Sequence, residues 1–141
     1  MSEYLLDVYV HGDPKAQGSM THIGKGRMIH KPDLIRWRDN ITATLKEWVG
    51  SHFGAWEPID EPVTIKADFW LPRPKRPRFD EPATALDLDK LQRAVGDALE
   101  QATVLRNDAR IVQWDNPRKH YAHGIAGDGE EPGARIKVRK L

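Results

Sequence analysis

Apolar positions along this chain switch period several times, and each switch marks an element. "YLLDVYVHG" (Tyr4 to Gly12) alternates and is rich in residues suited to a pleated surface, which predicts a strand closed by a Gly-Asp-Pro turn. "KAQGSMTHIGKGRMIH" has three glycines and no period, so it reads as an exposed loop or ragged hairpin with "RMIH" as a short strand. In "KPDLIRWRDNITATLKEWVG" the period becomes helical, with Leu34, Ile41, Leu45 and Trp48 at spacings of seven, four and three. Pro32 suits the first turn of that helix and Gly50 its stop. "EPIDEP" is a loop, and "VTIKADFWL" after it returns to a period of two. Val63, Ile65, Ala67 and Phe69 share one face, with Thr64, Lys66 and Asp68 on the other. "PRPKRPRFDEP" is too proline-dense for regular structure, and residues 72–82 are expected to form a mobile basic loop.

From Asp87 or Asp89 the helical period resumes: Leu88, Leu91, Val95, Ala98, Leu99 and Ala102 form one stripe. "ARIVQWD" predicts a strand, "NPRKHYAHGIAGDGEEPG" a long polar loop, and "ARIKVRKL" a closing strand with Ile136 and Val138 on one face and basic residues on the other. There is no internal repeat. The order β-(β)-α-β-α-β-β predicts one α+β domain over residues 1–141. Its expected architecture has two layers, a small mixed β-sheet with two main helices packed on one face.

Composition narrows the function classes. With 39% hydrophobic and 30% charged residues, the chain has the make-up of a soluble domain. No apolar run approaches the roughly 18 residues of a membrane span and the N-terminus has no signal-peptide layout, so a soluble cytoplasmic protein without a membrane partner is expected. Zero cysteines exclude disulfides, a thiolate metal site and a cysteine nucleophile. No G-x-S-x-G, phosphate-loop or dinucleotide fingerprint is present, which argues against a serine hydrolase or a nucleotide-dependent enzyme. The net charge of +1 hides basic clusters in "PRPKRPR", "PRKH" and the C-terminal tail. Such clusters beside acids suggest a polyanionic partner.

The acids concentrate in "LDLDKLQRAVGDAL" (Leu86 to Leu99). Asp87 and Asp89 stand at the helix mouth, and Asp89, Arg93 and Asp97 stack at steps of four along its polar face. Asp108 follows just before the next strand, where an antiparallel return brings it back towards the helix. Hard carboxylate oxygens suit Mg²⁺ or Mn²⁺. Equally, Asp87 or Asp89 is an N-cap favoured by the helix dipole and the remaining acids are a solvated face. Acids that bind metal next to bases that bind phosphate are what metal-assisted phosphodiester hydrolysis requires.

"LDLDKLQRAVGDALEQATVLRNDARIVQW" resembles the RusA family of Holliday junction resolvases, small endodeoxyribonucleases common in phages and prophages. The family pattern is D-x-D-N-L-x-K-x-x-x-D-A-L, then D-D and a strand rich in valine and isoleucine, with a lysine about ten residues on. Matching positions are Asp87, Asp89, Leu91, Arg93, Asp97, Ala98, Leu99, Asp108 and, more loosely, Lys119. "GDPKAQG", "GRMIHKPD" and "WRDNI" extend the resemblance to the opening strand, basic loop and first helix. The resemblance implies a Mg²⁺-dependent homodimer, with Mn²⁺ able to substitute, that binds four-way junctions and nicks two opposing strands. It implies Asp87, Asp89 and Asp108 as metal-binding carboxylates and Arg93 and Lys119 as catalytic cations, with Asp97 as a further acid. Arg93 stands where the family has lysine, Lys90 where it has asparagine, and Asn107 where it has the first acid of the D-D pair. The last two changes make the site less negative and favour the alternative of a branched-DNA-binding module with weak or lost catalysis.

DNA contacts are expected from Arg73, Lys75, Arg76 and Arg78 in the proline-rich loop, and from Lys15, Lys25 and Arg27. Core packing fits most of the five tryptophans; Trp70, which borders the basic loop, is the candidate for DNA contact. The pair His120 and His123 lacks a third ligand and reads as two solvated polar side chains. A sugar-nucleotide transferase using D-x-D is disfavoured by the short chain and the lack of a glycine-rich turn.

Overall fold

The longest stretch of strict alternation becomes the middle of the sheet. In a computed structural model, which describes residues 3–15, 20–22, 28–30, 32–84, 86–122 and 131–141, ten elements follow one another. They are strand β1 (Leu6–His11), hairpin strands β2 (Met20–His22) and β3 (Met28–His30), helix α1 (Pro32–Gly50) and strand β4 (Val63–Pro72). Helix α2 (Leu88–Gln101), a 3₁₀ turn (Asp108–Arg110) and strands β5 (Ile111–Trp114), β6 (Arg118–Ala122) and β7 (Gly133–Lys140) complete the chain.

β4 has neighbours on both edges. β7 pairs with it antiparallel from Val63↔Lys140 to Trp70↔Gly133, and β1 pairs with β7 on the far side. The other edge is shared by two strands in succession, both parallel to β4: β5 along Val63–Ile65 and β6 along Asp68–Pro72. Between them Asn116 takes a φ of +47°, a conformation asparagine tolerates, and Pro117 has no amide to donate. β2 and β3 form a separate two-stranded antiparallel sheet. The architecture is the expected α+β fold, a mixed five-stranded sheet with two helices.

The inward set is the apolar alternation of the sequence. Val63, Ile65, Ala67 and Phe69 of β4 join Ala134, Ile136 and Val138 of β7 and Leu6 and Val10 of β1 in one buried cluster. Both helices close over that face, through Trp37, Ile41 and Leu45 of α1 and Leu91, Ala94, Val95, Ala98 and Leu99 of α2. Fully burying the valine, leucine, isoleucine and phenylalanine side chains among them contributes about 1.5–3 kcal/mol each.

β6 corrects the sequence reading, which places Arg118–Ala122 inside a long polar loop. "RKHYA" carries no apolar alternation because both of its faces are used by polar contacts. Lys119 Nζ donates to the Leu86 carbonyl at 3.0 Å on the helix side, and His120 Nε2 lies 2.9 Å from Asp68 Oδ1 on the other.

Gly133 opens β7 where the backbone of β1 comes close. A Cβ there would overlap the Val10 carbonyl oxygen and the Tyr9 ring. Gly133→Ala is therefore expected to cost about 3 kcal/mol or more, read as a lower denaturation midpoint in urea.

The opposite sheet face carries the other half of the alternation: Lys66, Asp68 and Trp70 of β4, Asp7 and Tyr9 of β1, and Arg135, Lys137 and Arg139 of β7. Arg135 binds Asp7 through both carboxylate oxygens at 3.0 Å, and these hydrogen bonds hold the Asp7 carboxyl below the ordinary value of 3.8. Among the described residues, no helix is long and apolar enough to cross a membrane.

Candidate active site

α2 begins where its apolar stripe begins, and Asp87 is its N-cap with φ −62° and ψ 132°. The Asp87 side chain makes no capping hydrogen bond. A carboxylate serving only as a cap would accept from an amide of the first turn. Instead Asp87 is 65% exposed, and its Oδ2 lies 3.4 Å from the ammonium of Lys90, one turn along. Asp89 is exposed in the first turn beside it.

The residue before the cap is held in an uncommon conformation. Leu86 has φ +70°, the left-handed region, where a leucine costs about 1–2 kcal/mol. Its carbonyl receives the Lys119 ammonium at 3.0 Å, so β6 fixes the approach of the chain to the helix mouth. Lys119 is half-buried between the strand and this turn. Two carboxylates and two ammonium groups thus meet at the N-terminal end of α2. Further along the polar face, Arg93 is exposed and pairs with no carboxylate among the described residues, and Asp97 is half-buried.

Asp108 lies at the other end of the helix. Its amide donates to Glu100 Oε1 at 3.0 Å, which anchors the 3₁₀ turn against the last turn of α2. Asn107 caps that turn by accepting from the Ala109 amide at 2.8 Å. Arg110 and Arg106 both pair with Asp60, at 2.9 and 3.6 Å, and Ile59 bridges Leu105. Fourteen residues of α-helix span about 20 Å, so Asp108 is separated from Asp87 and Asp89 by most of that length. Among the described residues, no group of three or more acids or histidines is placed to hold one metal ion. The chain does return to the helix after α2, but β5 then carries it back along β4. Lys119 is the residue that reaches the mouth.

The basic loop stands beside the mouth. Arg73, Lys75, Arg76 and Arg78 are all exposed, with the Arg78 guanidinium 5.1 Å from the centre of the Phe79 ring. No helix or strand forms over residues 73–84, and Glu81 near the end of the loop accepts from Arg118 Nη2 at 3.1 Å. Lys15 sits in a separate cleft of about 240 Å³ between the end of β1 and α1, with Asp13, Asp33, Arg36, Trp37 and Asn40. Lys25, Arg27 and His123 lie outside the described residues. Trp70 faces away from the helices, stacked on His120 with ring centres 4.7 Å apart.

Two contributors to this geometry escape sequence reasoning. A leucine gives no signal of a left-handed conformation, so Leu86 is invisible to it. Glu100 extends the polar stripe of Asp89, Arg93 and Asp97 by a further step of three, and that spacing is the available clue.

A family model described as endodeoxyribonuclease RusA matches residues 11–139, from the end of β1 to the end of β7. A comparison with curated proteins finds no match. The matched span takes in the helix mouth, the basic loop, Asp108 and Lys119 together. The chain therefore belongs to the RusA endodeoxyribonuclease family.

Proposed function

We propose that this protein is a divalent-metal-dependent nuclease that resolves four-way DNA junctions as a homodimer, nicking opposing strands. The observation that carries the reading is the mouth of α2, where an N-cap aspartate does no capping and stands beside a second exposed aspartate. This donor set fits Mg²⁺, or Mn²⁺ in its place, which takes one or two protein carboxylates with waters and substrate phosphate. Asp87 and Asp89 would hold the ion, whose chemistry when bound is to activate water and to offset charge on the scissile phosphate.

The chain's own residues supply the rest. Lys119 ties down Leu86 and so sets the direction in which Asp87 leaves the backbone. Arg93 presents a planar fork on the same helix face, suited to phosphate oxygens as charge builds on them. Arg73, Lys75, Arg76 and Arg78 contribute affinity that falls steeply with salt. Asp108 acts in the site of a second copy. Antiparallel association of two α2 helices about a two-fold axis would bring the Asp108 end of each beside the Asp87 end of the other. Val112, 60% exposed on the open edge of β5 near that end, gives such a partner an apolar contact.

Cleavage of labelled four-way junction, fork and duplex DNA under identical Mg²⁺ and salt tests the reading. Paired nicks in opposing strands of the junction, leaving 5′-phosphate and 3′-hydroxyl ends, are expected. Equal cleavage of plain duplex would overturn junction selectivity. A second reading, a branched-DNA-binding module with weak catalysis, draws support from Lys90, whose ammonium competes with a metal for Asp87. Binding without nicking in either Mg²⁺ or Mn²⁺ would establish that reading instead.

Lys119→Met keeps the length of the side chain and removes the tie to Leu86. Turnover is expected to fall about a hundredfold, the usual consequence of displacing a reacting group by about 1 Å. Single-turnover nicking measures the loss, and a melting temperature within a few degrees of wild type shows that the fold is intact.

A further inference from the structure

The sheet face turned away from the helices takes no part in the site described above, and its charges are arranged unusually. Lys66 of β4 and Lys137 of β7 are direct cross-strand partners, a like-charge pairing that destabilises a sheet, while Lys137 faces Asp7 of β1 on its other side. Arg135 and Arg139 flank Lys137 at alternate positions of the same strand, about 7 Å apart along it. Arg118 extends the basic strip on β6, opposite Asp68.

The two carboxylates of this face are already engaged. Asp7 takes both arms of Arg135, and Asp68 meets His120 at 2.9 Å and Lys66 at 3.9 Å. Lys137 lies over the Tyr4 ring at 5.1 Å, and Arg139 has no carboxylate within 4.0 Å among the described residues. At the end of the strip nearest the helix mouth, Trp70 and His120 form a stacked aromatic ledge. β6 joins the two surfaces: Lys119 points to the mouth, His120 beside it to the outer face, and Arg118, in register with Asp68 of that face, donates to Glu81 of the basic loop.

We propose that the outer face of the sheet is a second nucleic-acid track, in which Lys66, Lys137, Arg139 and Arg118 bind the phosphates of a strand that has passed the helix mouth over β6 and the Trp70–His120 ledge packs against its sugars or bases. The regular spacing along β7 suits the repeated charges of a single strand's backbone. An occupant of opposite charge is favoured over a second copy of this chain, because a two-fold contact would set the basic strip against itself. The proposal rests on the junction-nuclease reading only for which DNA the track receives.

The test measures binding of a labelled four-way junction, and of a labelled single strand of equal length, in EDTA so that cleavage plays no part. Wild type is compared with Lys137→Gln/Arg139→Gln and with Lys66→Gln/Lys137→Gln over a salt series. About tenfold weaker binding near 0.15 M salt is expected for each pair, with the salt slope reduced by about one per contact removed. Sedimentation of the free proteins and their melting curves accompany the titrations. Unchanged affinity and slope in both folded variants would overturn the track. So would a change in the mass of the free protein, which would make this face an interface between copies. Weakened binding in the variants of a wild type that never nicks junctions would sink the nuclease reading and leave the track standing.

Discussion

Asp89→Asn is expected to lower junction cleavage by about a thousandfold or more, a barrier increase of ~4 kcal/mol, while junction binding stays within about twofold of wild type. The asymmetry follows from where Asp89 sits. It is exposed in the first turn of α2, so amide for carboxylate removes a charge and the proposed metal ligand without disturbing packing. In the proposed reading, affinity comes from cations elsewhere, in the proline-rich loop and on the sheet, and these are untouched. Nicking is followed under single-turnover conditions and binding by gel shift in EDTA. Cleavage at the wild-type rate in Mg²⁺ would remove Asp89 from the site.

The second large effect is a gain. Asp89→Asn and Asp108→Asn should each be inactive alone, and mixing the two purified proteins should restore nicking. In a mixed dimer one site receives both substitutions and the other receives neither, provided that each site takes Asp108 from the partner copy. Half of the dimers are mixed after random exchange, each with one intact site, so roughly a quarter of wild-type nicking is expected. Terbium luminescence at the site should return in the same proportion, which reads ion binding without cleavage. If all three acids served one chain's site, the mixture would stay inactive, because every chain would carry a damaged set. The separation of Asp108 from Asp87 along the length of α2 makes restoration the expected outcome.

Periodicity carried most of the fold. α1 begins at Pro32 and ends at Gly50 as read, and the β4 residues assigned to one face are all buried, although Thr64 on the other face is buried as well. α2 starts at Leu88, between the alternatives that the sequence allowed. β6 was missed for a physical reason: its side chains answer to partners on other elements and leave no period of their own. The acid positions were legible because they precede an apolar stripe, but their distances were not. Spacing places Asp108 after the helix; only the loop packing, Ile59 against Leu105 and Asp60 against two arginines, decides at which end of the helix the chain turns back. The exposed state of the Asp87 carboxylate was likewise beyond reach, since N-cap and ligand readings require the same residue in the same place.

The break between β5 and β6 also sets a rule about chain length. Residues 115–117 look like an ordinary connection, where an inserted or deleted residue would usually be harmless. Here both flanking strands are registered on the same edge of β4, Ile111 against Val63 and Lys119 against Phe69. Adding or losing one residue would force β6 to slip by one position, and a slip of one turns every side chain to the opposite face. With one residue lost, the imidazole of His120 would take the place of Lys119 against the Leu86 carbonyl; with one added, Arg118 would take it. In either case Lys119 would turn to the outer face. This short bend is therefore one of the least tolerant places in the molecule to a change of length, although glycine or aspartate could replace Asn116 and keep the same bend.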